Sequence, residues 1–264
     1  MASLSTLASG SSGNACIIHH NATHILLDAG ISCRRITEGL RADGCELSQL
    51  SAILITHSHS DHVSGLATLL RRSAAPVYAS LPTANTLVKA LPELLPRLRV
   101  FYPGEGFSIN DVLVQSLPTS HDAEGSVAYR LDGEDFSFAA MTDTGIIPEG
   151  AEGLFFGVHT LLLESNHDPV MLENGPYPYY LKRRIAGALG HLPNAVAARF
   201  ARGAEDAGTK QIILAHLSRE NNTPARAAEV VSAALGGAAS LTVAERDTPM
   251  HFTLAEGASR LCRE

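Results

Sequence analysis

The stretch ILITHSHSDH, residues 53–62, decides how this chain folds and what chemistry it can carry. ILIT is a short apolar run that suits a buried strand. It stops at His57, and His57, His59, Asp61 and His62 fall within six residues. Packed together alone, three imidazoles and a carboxylate would cost stability, because each must be desolvated. A divalent ion reverses that cost, since neutral imidazole and carboxylate are good ligands. In an extended loop His57 and His59 point the same way, because side chains repeat every two residues. Asp61 and His62 stand where the next helix begins and face a second point nearby. Two adjacent ions about 3.5–4 Å apart are the expected result.

Working outward, 15–18 and 24–27 read as strands around the polar turn HHNA, and 34–42 as a short helix. Residues 62–72 carry apolar positions at helical spacing, 76–79 is strand-like and 83–91 suggests a helix. Strands are expected at 112–117, 127–131, 136–141, 161–163, 211–214, 241–243 and 252–254. Helices are expected at 178–189, 194–203 and 224–235. No repeat or long linker divides the chain, so 1–264 reads as one α/β domain with helices packed outside sheets.

Composition narrows the partners. The chain is 45% hydrophobic and 18% charged, which suits a sizeable globular core. Trp is absent, so that core must be mostly aliphatic. A net charge of -7 argues against a broad electrostatic grip on nucleic acid or an anionic membrane, so any polyanion must be held locally. Cys16, Cys33, Cys45 and Cys262 lack C-x-x-C spacing and read as free thiols in a reducing compartment. The N-terminus lacks a signal-peptide pattern, and no apolar run reaches about 18 residues, so the expected location is cytoplasmic, with no membrane partner.

The same donor chemistry recurs downstream. His121 follows VLVQSL in PTSHDA, Asp143 follows FSFAAM in TDTG, and His216 follows IILA in AHLS. Each polar residue ends an apolar strand, which suits ligands converging at one sheet edge on loops held by a rigid scaffold. In this the chain resembles the metallo-β-lactamase superfamily: THSHSDH at 56–62, His121, Asp143 and His216 occur in that family's order. The resemblance implies a four-layer αββα sandwich with a dinuclear site at one edge. It implies His57, His59 and His121 on one metal, Asp61, His62 and His216 on the other, and Asp143 bridging. Zinc is the first expectation for the two divalent ions, and manganese or iron suit the same donors.

An acidic bridge like Asp143 is general among the superfamily's phosphodiesterases, thioesterases and lactonases, and is not required in its true β-lactamases. A run of motifs over 9–222 resembles the YycJ/WalJ-like group of bacterial metallohydrolases: SGSSGN, DAGIS, THSHSDH, SHDA, TDTG, LLLESNHDPVML, YPYYLKRRI, GHLPN and LAHLSRENN. That resemblance implies a nuclease-like enzyme with exonuclease action on DNA. LASGSSGN reads either as a plain tight turn or as a loop in which Ser11, Ser12 and Asn14 bring backbone N–H groups to a phosphate. Asn166 is a further substrate contact, and the triplet Lys182, Arg183 and Arg184 reads either as a solvated helix face or as a local phosphate clamp. His191 stands where the tRNA 3′-processing endonucleases, which the last two segments also resemble, keep a leaving-group histidine. Leu192 and Pro193 replace that family's Ser-Thr. Glu164 or His167 would fix the His191 tautomer, and Asp61 would orient the attacking water as well as ligate. Two other readings compete. A small-molecule hydrolase acting on a lactone, thioester or cyclic phosphate would be indifferent to His191 and the basic triplet. A non-catalytic binding protein is disfavoured by the complete ligand set. The oligomeric state is left open.

Overall fold

The structure, a computed structural model, describes residues 2–254. Cys262 and the two ends of the expected 1–264 domain lie outside the described residues. The first half runs β1 (Ala2–Ala8), β2 (Ala15–His20), β3 (Thr23–Leu27), α1 (Cys33–Ala42), β4 (Ala52–Leu54), α2 (Ser60–Val63), α3 (Leu66–Arg72), β5 (Val77–Ser80), α4 (Leu81–Ala90) and β6 (Leu98–Phe101). The second half runs β7 (Gly106–Ile109), β8 (Val112–Pro118), β9 (Val127–Asp132), β10 (Ser137–Met141), α5 (Ala151–Phe155), β11 (Thr160–Glu164), α6 (Pro169–Asn174), α7 (Tyr179–Ala186), α8 (Asn194–Asp206), β12 (Gln211–Ala215), α9 (Pro224–Ser232), β13 (Ser240–Val243) and β14 (Met250–Leu254).

Two seven-stranded sheets result, ordered β14-β1-β2-β3-β4-β5-β6 and β13-β12-β11-β10-β9-β8-β7. Side-chain alternation sorts each strand between two apolar layers. Cys16 and Ile18 of β2 meet Val114, Tyr129 and Phe138 of the other sheet in a shared core. Ala15 and Ile17 of the same strand turn outward onto Ile36 and Leu40 of α1 and Leu66 and Leu69 of α3. On the far side, Leu161 and Ile212 pack under Phe155 of α5, Phe200 of α8 and Val231 of α9. Helix, sheet, sheet, helix is the expected four-layer sandwich. Tyr129, Phe136 and Phe138 are fully buried between the sheets, each contributing about 1.5–3 kcal/mol of burial.

Helix starts follow ordinary capping chemistry. The Ser32, Ser80 and Thr223 side chains accept from backbone N–H groups three residues on, with prolines in the first turns of α4 and α9. The expected 62–72 helix is two pieces, α2 and α3, broken at Gly65. There the backbone presses on the loop after β3: Gly65 N–H donates to Ala29 O at 2.8 Å, and a Cβ would stand 2.0 Å from Ile31 O. The expected 178–189 helix stops at Ala186, where the Gly187–Gly190 turn redirects the chain and His191 N–H returns to Ile185 O. Strands β6 and β7 and helices α5 and α6 had no clear sequence signal. Among the described residues no helix is long and apolar enough to cross a membrane.

Strands β3 to β6 run parallel in one sheet, and β10 to β13 in the other. Their carboxyl ends therefore gather at one edge, the usual place for a site in such sheets. Asp28 follows β3, His57 follows β4, Asp143 follows β10, Glu164 ends β11 and His216 follows β12.

Candidate metal centre

The seven expected ligands meet at that edge. Candidate ligand atoms of His57, His59 and His121 lie within 4.8 Å of one another, and so do those of Asp61, His62 and His216. Asp143 stands between the two groups: its Oδ2 is 3.3 Å from His62 Nε2, and its Oδ1 is 3.8 Å from His121 Nε2 and 3.5 Å from His216 Nδ1. Asp61 Oδ2 is 3.5 Å from His216 Nε2 and 3.6 Å from His62 Nε2. The seven residues that the sequence resemblance implies are thus brought together, and candidate ligand atoms also form two overlapping groups, His57, His62 and Asp143, and Asp143, Glu164, His191 and His216.

An outer ring of acceptors fixes the rings. His62 Nδ1 is 2.7 Å from Asp28 Oδ2, His121 Nδ1 is 3.1 Å from Gly190 O, and His216 Nδ1 is 2.9 Å from Glu164 Oε1. Each acceptor holds the proton on Nδ1, which leaves Nε2 as the inward lone pair, the tautomer a metal requires. Asp28 is itself held by the Thr56 N–H and hydroxyl. Nothing in the sequence singles it out, although it stands in DAGIS; only its place after β3 reveals its use.

The donor set fits divalent cations. Buried His57 Nε2, His216 Nε2 and Asp143 Oδ2 have no hydrogen-bond partner, although most buried polar atoms in native proteins do. All three belong to the seven candidate ligands. Burial and the neighbouring His62 pull the His57 pKa well below its ordinary value, which keeps it neutral. Burial opposes ionisation of Asp143, yet His216 and His62 outweigh it and hold that carboxyl well below the carboxylate range. Burial also penalises charged His62, but Asp143 and Asp28 lift it to about 10. The buried carboxylates thus demand positive charge at this point, and inward lone pairs offer ions a place to supply it. Asp28, Asp143 and His216 hold positive φ of 59, 57 and 55°, a backbone conformation that non-glycine residues adopt rarely and that clusters at functional sites.

The other expected site residues divide. His191 stands at the mouth, with Nδ1 2.8 Å from Glu164 Oε1. Glu164 therefore holds both His191 and His216, and it also accepts the Thr144 and Leu192 amides. Burial works against its charge, but the His191 charge and hydrogen bond bring its pKa down to about 2. His167 has no part in holding His191. It is buried below α6 and α7, and its Nδ1 has no partner. Asn166 lines the site cavity but spends its amide on His216 O, at 2.8 Å.

The glycine-serine loop is likewise partly reassigned. Ser11 lines the cavity of about 220 Å³ over the ligands, and Ser12 is exposed beside it. Asn14 is turned inward instead, with Nδ2 3.0 Å from His62 Nε2 and 3.4 Å from Asp61 Oδ2. The amides of Gly10, Gly13 and Asn14 are bonded to Asn14, Gly10 and Asp61, so the loop braces the site with these groups and does not offer them to a phosphate. The basic triplet is split by helix geometry, since consecutive residues point about 100° apart. Arg184 lines the site cavity, its Nε 2.5 Å from Asp122 Oδ2. Lys182 and Arg183 line a separate cavity of about 460 Å³ behind α7. Lys182 donates to Glu173 O, and Arg183 lies over the Tyr179 ring.

Comparison with known proteins agrees with this geometry. The family described as Beta-lactamase superfamily domain matches residues 23–217. Exodeoxyribonuclease YycJ of Bacillus anthracis is 36% identical over 219 residues, 83% of each chain. Exodeoxyribonuclease WalJ of Streptococcus pneumoniae is 37% identical over 223 residues, 83% of this chain and 82% of that one. The metallo-beta-lactamase fold protein YhfI of Bacillus subtilis superimposes with a TM-score of 0.73 at 14% identity, covering 95% of this chain and 99% of its own. On the sequence match, the sandwich and the residues at its edge, the chain belongs to the beta-lactamase superfamily, in its YycJ/WalJ-like group.

Proposed function

We propose that this protein is a dinuclear metal-dependent phosphodiesterase that degrades DNA from an end. The observation that carries the reading is the Glu164–His191 pair beside a complete seven-residue ligand set. His57, His59 and His121 would hold one ion, Asp61, His62 and His216 the other, with Asp143 shared; zinc is the first candidate, then manganese or iron. When bound, such ions supply Lewis-acid activation of a phosphate and of the attacking water.

The chain's own residues supply the rest of the chemistry. Glu164 Oε1 accepts from His191 Nδ1, which fixes the ring and leaves Nε2 to face the substrate. That Nε2 proton goes to the leaving oxygen as the P–O bond breaks. Asp61, partly exposed at the cavity wall, orients the water for attack. Arg184 and Ser11 line the entrance and suit an anionic strand, on a molecule whose net charge of -7 otherwise repels one. The relatives' names, exodeoxyribonuclease, support DNA as the substrate.

The deciding experiment offers end-labelled single- and double-stranded DNA, RNA, a cyclic phosphate, a lactone and a thioester to metal-loaded protein. Progressive release of nucleotides from DNA ends is expected. Turnover of the lactone or thioester with intact nucleic acid would replace this reading with a small-molecule hydrolase.

A further inference from the structure

A second cluster of metal-binding side chains lies far from this edge. His19 on β2 and His24 on β3 are directly paired across the hairpin. Strand alternation puts both on the outer face, beside Ile17 and Leu26, under α1. Cys45 comes in just beyond α1 and is buried in the same layer. Ligand atoms of His19, His24 and Cys45 lie within 4.8 Å of one another. The site is separate from the first: Asn14, just before β2, touches Asp61, and His19 is five residues further along, about 17 Å at strand rise.

Two details favour an ion at this cluster, the Asp43–His19 contact and the place of Asp43 at a helix C-terminus. His19 Nε2 is 3.1 Å from Asp43 Oδ2, the carboxylate–histidine arrangement that fixes a ligating imidazole. With Nε2 donating to Asp43, His19 Nδ1 is an acceptor and takes a hydrogen bond from His24 Nδ1 at 2.7 Å, a proton that a bound ion would displace. Asp43 also caps the C-terminus of α1, where the helix dipole disfavours an anion and a nearby cation relieves it. Gly44, at φ 77°, makes the turn between Asp43 and Cys45. A cavity of about 830 Å³, lined by Asp43, His251 and Arg35, opens on the side of Asp43.

We infer that His19, His24 and Cys45 bind one thiophilic divalent cation of the zinc type, with Asp43 positioning His19, and that this ion clamps the end of α1 to the β2–β3 hairpin. Three protein ligands leave one position for water. On binding, the Cys45 thiol loses its proton to solvent and the thiolate bonds the ion.

The test titrates the full-length, metal-stripped protein with cobalt(II) alone. The catalytic cluster contains no sulfur, so a near-ultraviolet thiolate-to-cobalt charge-transfer band that Cys45→Ser abolishes reports the second site. Wild type should develop the band, and Cys45→Ser should lose it while keeping the visible cobalt absorption of the catalytic cluster and hydrolytic activity. His24→Gln, at a half-buried position, should shift the titration to higher cobalt and serves if Cys45→Ser folds poorly. Asp43→Asn should weaken the band's affinity 10–100-fold. Absence of the band in wild type, its persistence in Cys45→Ser, or a titration unmoved by His24→Gln would each overturn the proposal.

Discussion

His191 and His216 share one acceptor, Glu164 Oε1, yet only His216 belongs to the ligand set and His191 is the proposed proton donor. His191→Ala should keep both metals and lose activity on an unactivated phosphodiester by about 10²–10⁴-fold. Metal analysis beside a rate assay checks this: metal loss would make His191 a ligand, and an unchanged rate would remove its proton-donor role. A second residue-level test concerns His167. Burial lowers its pKa to about 4, so the folded protein keeps it neutral while the unfolded chain takes up its proton near 6.5. Between those values the unfolded state binds more protons, so stability falls as pH drops from 6.5 toward 4. Urea midpoints should decline less from pH 7 to pH 5 in His167→Gln than in wild type, by up to about 2 kcal/mol. An identical decline would show that His167 is not buried neutral. At this scale the candidate ligands stood out because their side chains cluster in sequence or end apolar strands. The choice between Glu164 and His167 was not, because it depends on which of two nearby side chains points at His191. Asp28 was silent because a lone carboxylate after a strand resembles any turn residue.

At the scale of elements, α7 shows how a motif can be read correctly and aimed wrongly. Lys182, Arg183 and Arg184 form one basic run in the sequence, but the helix sends only Arg184 into the site cavity. Arg184→Ala should raise KM for DNA several-fold and flatten its salt dependence, while Lys182→Ala with Arg183→Ala should change both less. Steady-state kinetics at two or more salt concentrations decide this, and the reverse ranking would restore the sequence expectation. The loop after β3 gives a second test. A Cβ on Gly30 would stand 1.7 Å from Asp61 O and 2.6 Å from Asn14 N. Gly30→Ala should therefore displace the start of α2, lowering metal affinity together with thermal stability. A variant with wild-type Tm and full metal content would mean that this close approach does not position the site. The β2–β3 hairpin and the helices at 33–42, 194–206 and 224–232 were readable from alternation, caps and 3.6-residue spacing. The break at Gly65 was not, because it answers to the distant Ile31 carbonyl.

Across the whole molecule, two parallel strand runs deliver their carboxyl ends to one edge, and the polar residues that end those strands become a single cluster. The sandwich was legible only through resemblance, since alternating strands and helices alone allow several layered folds. The central claim is that the HSHSDH loop, His121, Asp143 and His216 together hold two ions. Anomalous scattering from crystals grown with zinc tests it most directly. Two peaks about 3.5–4 Å apart are predicted, one among His57, His59 and His121 and one among Asp61, His62 and His216, with Asp143 within coordinating reach of both. One peak or none at that edge, in crystals of zinc-reconstituted protein, would contradict it.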